Sequence, residues 1–241
     1  MKNYGIILAG GTGSRMGEVK LPKQFLEINN TPIIILTIKQ LLKSNLFDLI
    51  CIAIHPDWVK YLGELLVNYS IDKSKISVIE GGSDRLGSIE NALDFFKSNQ
   101  VNDDDIIVIH DAVRPFISQE ILKSAVEETS KYGATVAITP VKDTMIYSEN
   151  GVATQMPDRS KIFHGQAPDS FKFGLIYNSI KSLTEDERKY ITGTAQICQA
   201  KGIEIHTYPG DEKNIKITTI VDLFLAKAIY GEFIKEWKPV F

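Results

Sequence analysis

Cysteine is scarce in this chain. Its 241 residues hold two, Cys51 and Cys198, in neither a Cys-x-x-Cys nor a Cys/His spacing that would read as a metal site. Their apolar surroundings predict buried free thiols. Histidine occurs four times, at His55, His110, His164 and His206, and never as His-Glu-x-x-His. A Gly-x-Ser-x-Gly elbow is absent as well, so nucleophilic catalysis by a side chain has no visible candidate. No apolar run approaches the ~18 residues that suggest a membrane span. Positive charge is not in excess: the formal net charge is −3. That argues against a general nucleic-acid binder and makes any basic surface local. The first apolar strand starts almost at Met1, leaving no room for a signal peptide, and the expectation is a cytoplasmic protein. Repeats and low-complexity linkers are missing too.

What is present is an alternation of strands and helices. Tyr4–Ala9, Leu49–Ile54, Ile76–Ile79, Asp105–Ile109 and Ala134–Ile138 read as short apolar strands. Between them lie helical patterns at Pro32–Leu42 (cap Thr31), Pro56–Asn68, Asp84–Ser98 and Ser118–Lys131. This rhythm predicts an α/β, Rossmann-like fold with a mostly parallel sheet and helices on both faces. After Thr139 the rhythm breaks. Met145–Ser148 and Val152–Gln155 flank Glu149-Asn150-Gly151, a tight-hairpin signal. A hairpin inserted in an α/β sheet projects, so residues 140–162 or so are expected to form an arm used for dimerisation. Beyond it the pattern predicts a returning segment Ile162–Gln166, helices near Phe173–Ser182 and Glu185–Lys201, a strand Ile203–Thr207, the segment Asn214–Thr218, and a last helix from Val221 to about Trp237. At this length one large domain, or one plus a small appendage, is expected, and the even rhythm is read as a single domain over 1–241.

Ligands of open α/β sheets bind beyond the carboxyl ends of the strands, and the distinctive loops fall there. The first is Gly10-Gly11-Thr12-Gly13-Ser14-Arg15-Met16-Gly17, followed by Lys20, Pro22 and Lys23. It is not a P-loop, which needs Gly-x-x-x-x-Gly-Lys-Ser/Thr. It is not a dinucleotide fingerprint either, because Gly11-x-Gly13-x-x-x-Gly17 is one residue too long. Glycines that let backbone N–H groups approach an anion, with three cations beside them, suit free phosphates. The second loop, Gly81-Gly82-Ser83-Asp84-Arg85 with Ser88, reads either as base or ribose recognition or as a capped helix start. The third, His110-Asp111-Ala112-Val113-Arg114-Pro115, sets a carboxylate at a strand end facing the phosphate loop, a usual place for Mg²⁺. Asp103-Asp104-Asp105 lies at the wrong end of its strand for such a role.

A missing nucleophile fits a reaction whose attacking group is itself a phosphate monoester, since its second pKa is about 6. Catalysis then reduces to holding two anions together and neutralising the transferred phosphorus. Two unit charges at about 4 Å repel by roughly 4 kcal/mol at an effective dielectric near 20. Arg15, Lys20, Lys23, Arg85, Arg114, Arg159 and Lys216 are available to reverse that.

On these residues the chain resembles the cytidylyltransferases that include the 2-C-methyl-D-erythritol 4-phosphate and ribitol 5-phosphate enzymes. The landmarks are Leu8–Met16, Pro22-Lys-Gln24, Gly81–Arg85 with Ser88, His110–Pro115, Asp143-Thr144, Asp158-Arg159 and Asn214–Thr218. The resemblance implies a homodimer whose arm crosses to its partner, and CMP transfer from CTP to a polyol phosphate with release of pyrophosphate. It implies that Arg15 and Lys23 stabilise the α-phosphorus, that Lys216 contacts CTP phosphates, and that Asp111 binds Mg²⁺. Leu8, Ala9, Gly10, Gly11, Gly13, Gly82, Arg85 and Ser88 would bind the nucleotide. Arg114, Thr144, Arg159 and Thr192 would hold the acceptor. Leu-Ala-Gly-Gly at 8–11, the five residues between Met16 and Pro22, Asp-Ala-Val-Arg-Pro-Phe at 111–116 and Gly165-Gln166 lean towards the ribitol 5-phosphate enzymes and teichoic acid synthesis; methylerythritol phosphate, in isoprenoid synthesis, is the alternative. Two features depart from both groups. Ile191-Thr-Gly-Thr-Ala195 lacks the acidic residues common there, and Gln166-Ala-Pro-Asp169 replaces Gln-Thr-Pro-Gln. A nicotinamide-dependent reductase and a non-catalytic nucleotide sensor are the competing classes.

Overall fold

A computed structural model describes residues 1–11 and 21–236. In chain order the elements are β1 (Asn3–Ala9), β2 (Glu27–Ile28), β3 (Thr31–Pro32), α1 (Ile33–Lys43), β4 (Leu49–Ile54), α2 (Val59–Asn68), β5 (Ile76–Glu80), α3 (Arg85–Ser98), β6 (Ile106–Asp111), α4 (Gln119–Tyr132) and β7 (Ala134–Pro140). Then follow β8 (Tyr147–Glu149), β9 (Val152–Gln155), β10 (Phe163–Lys172), α5 (Phe173–Lys181), α6 (Glu185–Tyr190), α7 (Thr194–Ala200), β11 (His206–Pro209) and α8 (Ile220–Glu236).

The main sheet has the order β11-β7-β10-β6-β1-β4-β5. Its strands run parallel except β10, which is antiparallel to both β6 and β7. Apolar residues fill both pleat faces, as a doubly covered sheet requires. On one face Ile7, Ile52 and Val108 pack with Ile35, Ile38 and Leu41 of α1, Leu62 of α2 and Leu122 of α4. On the other, Ile6, Cys51 and Ile109 pack with Ile89 and Leu93 of α3, Ile176 of α5 and Ile197 of α7. Each fully buried isoleucine or leucine adds about 1.5–3 kcal/mol, so the strand ends are held by a dense core. A third cluster, with Ile28, Ile33, Phe116 and Ile217, lies under Ala226 of α8. The expected hairpin is present: β8 and β9 form a separate two-stranded sheet turning at Asn150 (φ 50°) and Gly151 (φ 80°).

Several sequence-based boundaries need correction. Thr31 belongs to β3 and does not cap α1; Pro32 stands at the cap position with no side-chain cap bond. The single helix expected over 185–201 is two helices. The α6 helix opens with a Thr184/Glu187 capping box, and the chain is extended at Ile191 and Gly193 before α7 begins. The Gln196 side-chain oxygen accepts the backbone N–H groups of Thr192 and Gly193 and the Thr192 hydroxyl, so the break is itself hydrogen-bonded. The strand expected at Ile203–Thr207 starts at His206 instead. Asn214–Thr218 is irregular chain docked on the loop after β6, through the Ile217 N–H on the Val113 carbonyl (3.0 Å). Asp105, at the head of the strand expected over Asp105–Ile109, lies just before β6 and is buried; it accepts the Lys2 N–H at 2.7 Å and ties the chain start to β6. No helix among the described residues is long and apolar enough to cross a membrane.

Candidate active site

The carboxyl ends of β1, β4 and β6 stand side by side, because Leu8 pairs with both Ala53 and Asp111. Each strand end releases one of the three loops. Over β1, Gln24 donates to the Ala9 carbonyl (2.7 Å, buried) and so ties the far end of the first loop to its start. Lys23 then lies along Gly11, whose missing Cβ would sit 3.7 Å from the lysine Cε.

The second loop is built on a close approach. A Cβ at Gly82 would fall 2.4 Å from the Gly87 carbonyl carbon and 2.8 Å from the Ser88 nitrogen, so only glycine fits. Gly81 N–H bonds the Ile54 carbonyl at 2.7 Å, and Asp84 caps α3 by accepting from Gly87 N–H at 2.7 Å. Ser88 accepts from Gly82 N–H (3.1 Å) and donates its hydrogen to the Asp84 carbonyl (2.8 Å). Its remaining capacity is therefore that of an acceptor.

Asp111, the last residue of β6, is surrounded by cations. Its Oδ1 meets Arg85 Nη1 at 2.6 Å, and its Oδ2 meets Arg114 Nε at 3.2 Å and Lys216 Nζ at 3.1 Å. Burial alone would raise its pKa; the charges of Arg85, Lys216 and Arg114 outweigh burial and hold the carboxyl well below the usual range. Arg114 donates to the Asn214 carbonyl (2.7 Å), and Asn214 donates to the Ala167 carbonyl (2.8 Å). These bonds bring Lys216 in from a segment about 100 residues away in sequence. His110 is fully buried behind the wall and donates from Nε2 to the Arg114 carbonyl at 3.0 Å. Burial lowers its pKa to about 4.

Two cavities meet at this cationic wall. The larger, about 390 Å³, is bounded by Leu8, Ala9, Gly10, Gly11 and Lys23 on the β1 side and by Gly82, Arg85 and Ser88 on the other; Asp111 and Lys216 form its floor. The smaller, about 270 Å³, shares Arg85, Asp111 and Lys216 and adds Arg114, Asp169, Thr192 and Thr194. Two shared cations, Arg85 and Lys216, against the one shared carboxylate leave this wall positive, and Arg114 adds to it on the side of the smaller cavity, which suits two anionic ligands meeting across it.

Most of the residues selected from sequence thus converge. Arg15 and Gly13 lie outside the described residues, as does Lys20. Thr144 and Arg159 join neither cavity: both are exposed on the arm, where Arg159 donates to the Lys142 carbonyl at 2.8 Å. Sequence reasoning gave no role to Asn214, Thr194 or Asp169. Asn214 and Asp169 lay inside stretches already singled out, but a lone Asn or Asp carries no spacing signal. Among the described residues no group of three His, Cys, Asp or Glu converges as a metal cage.

Comparison with known proteins agrees with this geometry. The family model described as 2-C-methyl-D-erythritol 4-phosphate cytidylyltransferase (IspD) matches residues 4–232. The structure of that enzyme from Francisella tularensis is 27% identical, with TM-score 0.80 over 95% of this chain and 100% of that one. The 4-diphosphocytidyl-2C-methyl-D-erythritol synthase of Anaerococcus prevotii (21% identity, TM-score 0.78, 95% and 98% covered) shares the fold. So does the Thermus thermophilus enzyme (21%, 0.70, 94% and 98%). With a match over nearly the whole chain, this protein belongs to the 2-C-methyl-D-erythritol 4-phosphate cytidylyltransferase (IspD) family and is a cytidylyltransferase.

Proposed function

We propose that the protein transfers CMP from CTP to D-ribitol 5-phosphate, giving CDP-ribitol and pyrophosphate. The observation that carries this reading is the pair of cavities sharing one positive wall. CTP occupies the larger cavity, with its phosphates over Gly10, Gly11, Lys23 and Lys216. Ser88, limited to accepting, suits an amino or hydroxyl hydrogen of the nucleoside. The acceptor phosphate enters the smaller cavity. One of its oxygens bonds to the α-phosphorus as the bond from that phosphorus to the β-phosphate oxygen breaks, and pyrophosphate leaves. No proton has to be removed first, because the monoester is largely a dianion at neutral pH. Lys23, Lys216, Arg85 and Arg114 offset the repulsion and stabilise the charge on phosphorus; Arg15 belongs to the same proposal.

Asp111 is the carboxylate common to both cavities. Among the described residues it is a lone carboxylate without a cage of acidic side chains, so an ion held there would draw most of its ligands from phosphates and water, as Mg²⁺ does. When bound, Mg²⁺ would neutralise phosphate charge there.

The arm is proposed to dimerise and to carry Thr144 and Arg159 to the partner's acceptor cavity. Its support is the apolar surface that the hairpin exposes at Ile146, Tyr147, Val152 and Met156, since a lone two-stranded hairpin is marginal in water.

The ribitol reading rests on the Leu8–Gly11 loop, the spacing to Pro22, and Gly165-Gln166. Methylerythritol phosphate is the second reading, favoured by the family description and the names of the similar structures. Pyrophosphate release from CTP and Mg²⁺ with each acceptor decides. Higher kcat/KM for D-ribitol 5-phosphate is expected; higher kcat/KM for methylerythritol phosphate reverses the assignment.

A further inference from the structure

Opposite the cations, the smaller cavity has a second wall of different chemistry. Asp169, on β10 just past a shift in strand register, is recessed but open to the cavity. It faces Arg85, Asp111 and Arg114, and the Thr194 hydroxyl lies beside it. That hydroxyl is fully buried and lacks a partner of full hydrogen-bond geometry. Two neighbouring donors are already engaged. Thr192 donates its hydroxyl to Gln196 at 3.0 Å, and the Gln166 amide donates to the Asp211 carbonyl at 2.9 Å. The charged group of this wall, the Asp169 carboxylate, can only accept hydrogens when ionised.

We infer that Asp169 is a specificity-determining residue: its carboxylate takes up hydroxyl hydrogens at the uncharged end of the acceptor and turns the acceptor's phosphate towards Arg85, Arg114 and Lys216. This rests on the function proposed above. A phosphate dianion has no hydrogen to give and is repelled by a carboxylate. It can enter only with its charge towards the cations. The carbon chain then lies against Asp169 and Thr192, where each hydroxyl supplies what the wall lacks. An acceptor without hydroxyls would leave these groups desolvated and unpaired, and sites of this kind discriminate strongly. Burial raises the Asp169 carboxyl to about 6, against the pull of Arg85, so at pH 8 it is ionised.

The test compares D-ribitol 5-phosphate, methylerythritol phosphate and n-pentyl phosphate as acceptors for the full-length wild type and for Asp169→Asn, with Asp169→Ser as a second variant, at pH 8. CTP-induced thermal stabilisation reports that each variant is folded. Asp169→Asn is expected to raise the KM of the preferred polyol phosphate roughly ten- to hundredfold. The KM for CTP and the turnover of pentyl phosphate should stay within about threefold, so the preference for hydroxyls shrinks. A general structural fault would weaken both classes of acceptor alike. Equal losses for both in the two variants, or no change in the polyol KM, overturn the inference. If the wild type releases no acceptor-dependent pyrophosphate with either polyol phosphate, the proposed function fails and the inference falls with it.

Discussion

Lys23 lines the larger cavity and lies against Gly11. If its charge acts on the α-phosphorus, Lys23→Ala loses about 3–4 kcal/mol of transition-state stabilisation, or 10²- to 10³-fold in kcat. Steady-state pyrophosphate release and an unchanged melting curve are the expected readouts. His110 makes a different statement. Its folded pKa of about 4 lies below the ordinary 6.5, so the unfolded chain takes up a proton first. Stability then falls as pH drops from 6.5 towards 4, by on the order of 3 kcal/mol from this group. His110→Gln keeps a donor for the Arg114 carbonyl and removes the titration. Urea unfolding at pH 7 and pH 4.5 should show a smaller loss for the variant than for the wild type. The cationic residues were legible because they sit in glycine-rich or proline-marked stretches. Asp169 was not: one acidic residue beside a proline gives no period and no spacing, and its meaning depends on a wall built from β10 and α7.

Elements were legible where one physical rule dominated. Continuous apolar strands and capped helices up to β7 follow from burial on both faces of a parallel sheet. Beyond it the rules competed. Pro168 argues against a strand interior, yet β10 runs through it, because the pairing register with β7 shifts between Gln166 and Asp169 and no ladder bond is lost there. The helical pattern over 185–201 hid a break whose hydrogen bonds come from one glutamine side chain. The Gly82 turn is an element-level test of the nucleotide cavity. Gly82→Ala would force apart backbone atoms of residues 82 and 87, moving the mouth of the cavity while leaving the sheet intact. The KM for CTP should rise at least about tenfold, a loss of about 1.4 kcal/mol, with little change in the circular dichroism spectrum. An unchanged KM would remove this loop from nucleotide binding.

For the whole molecule, the unresolved economy is exposed apolar surface. The arm exposes Ile146, Tyr147, Val152 and Met156, and α8 exposes Ile220, Val221, Phe224 and Leu225. Large apolar side chains exposed in such groups mark association. Multi-angle light scattering should give about twice the chain mass, and removal of residues 145–156 should shift it towards one chain mass and depress turnover, because Arg159 would no longer be carried to the partner's acceptor cavity. The account's central claim is that one positive wall lets two phosphate esters react directly, with no bond to protein. Its most direct test is rapid mixing of stoichiometric enzyme with CTP and Mg²⁺, without acceptor, while following pyrophosphate. The expected result is no burst until D-ribitol 5-phosphate is added, and acceptor-dependent release thereafter. A burst equal to the enzyme concentration before any acceptor is present would mean a cytidylyl–enzyme intermediate and would contradict it.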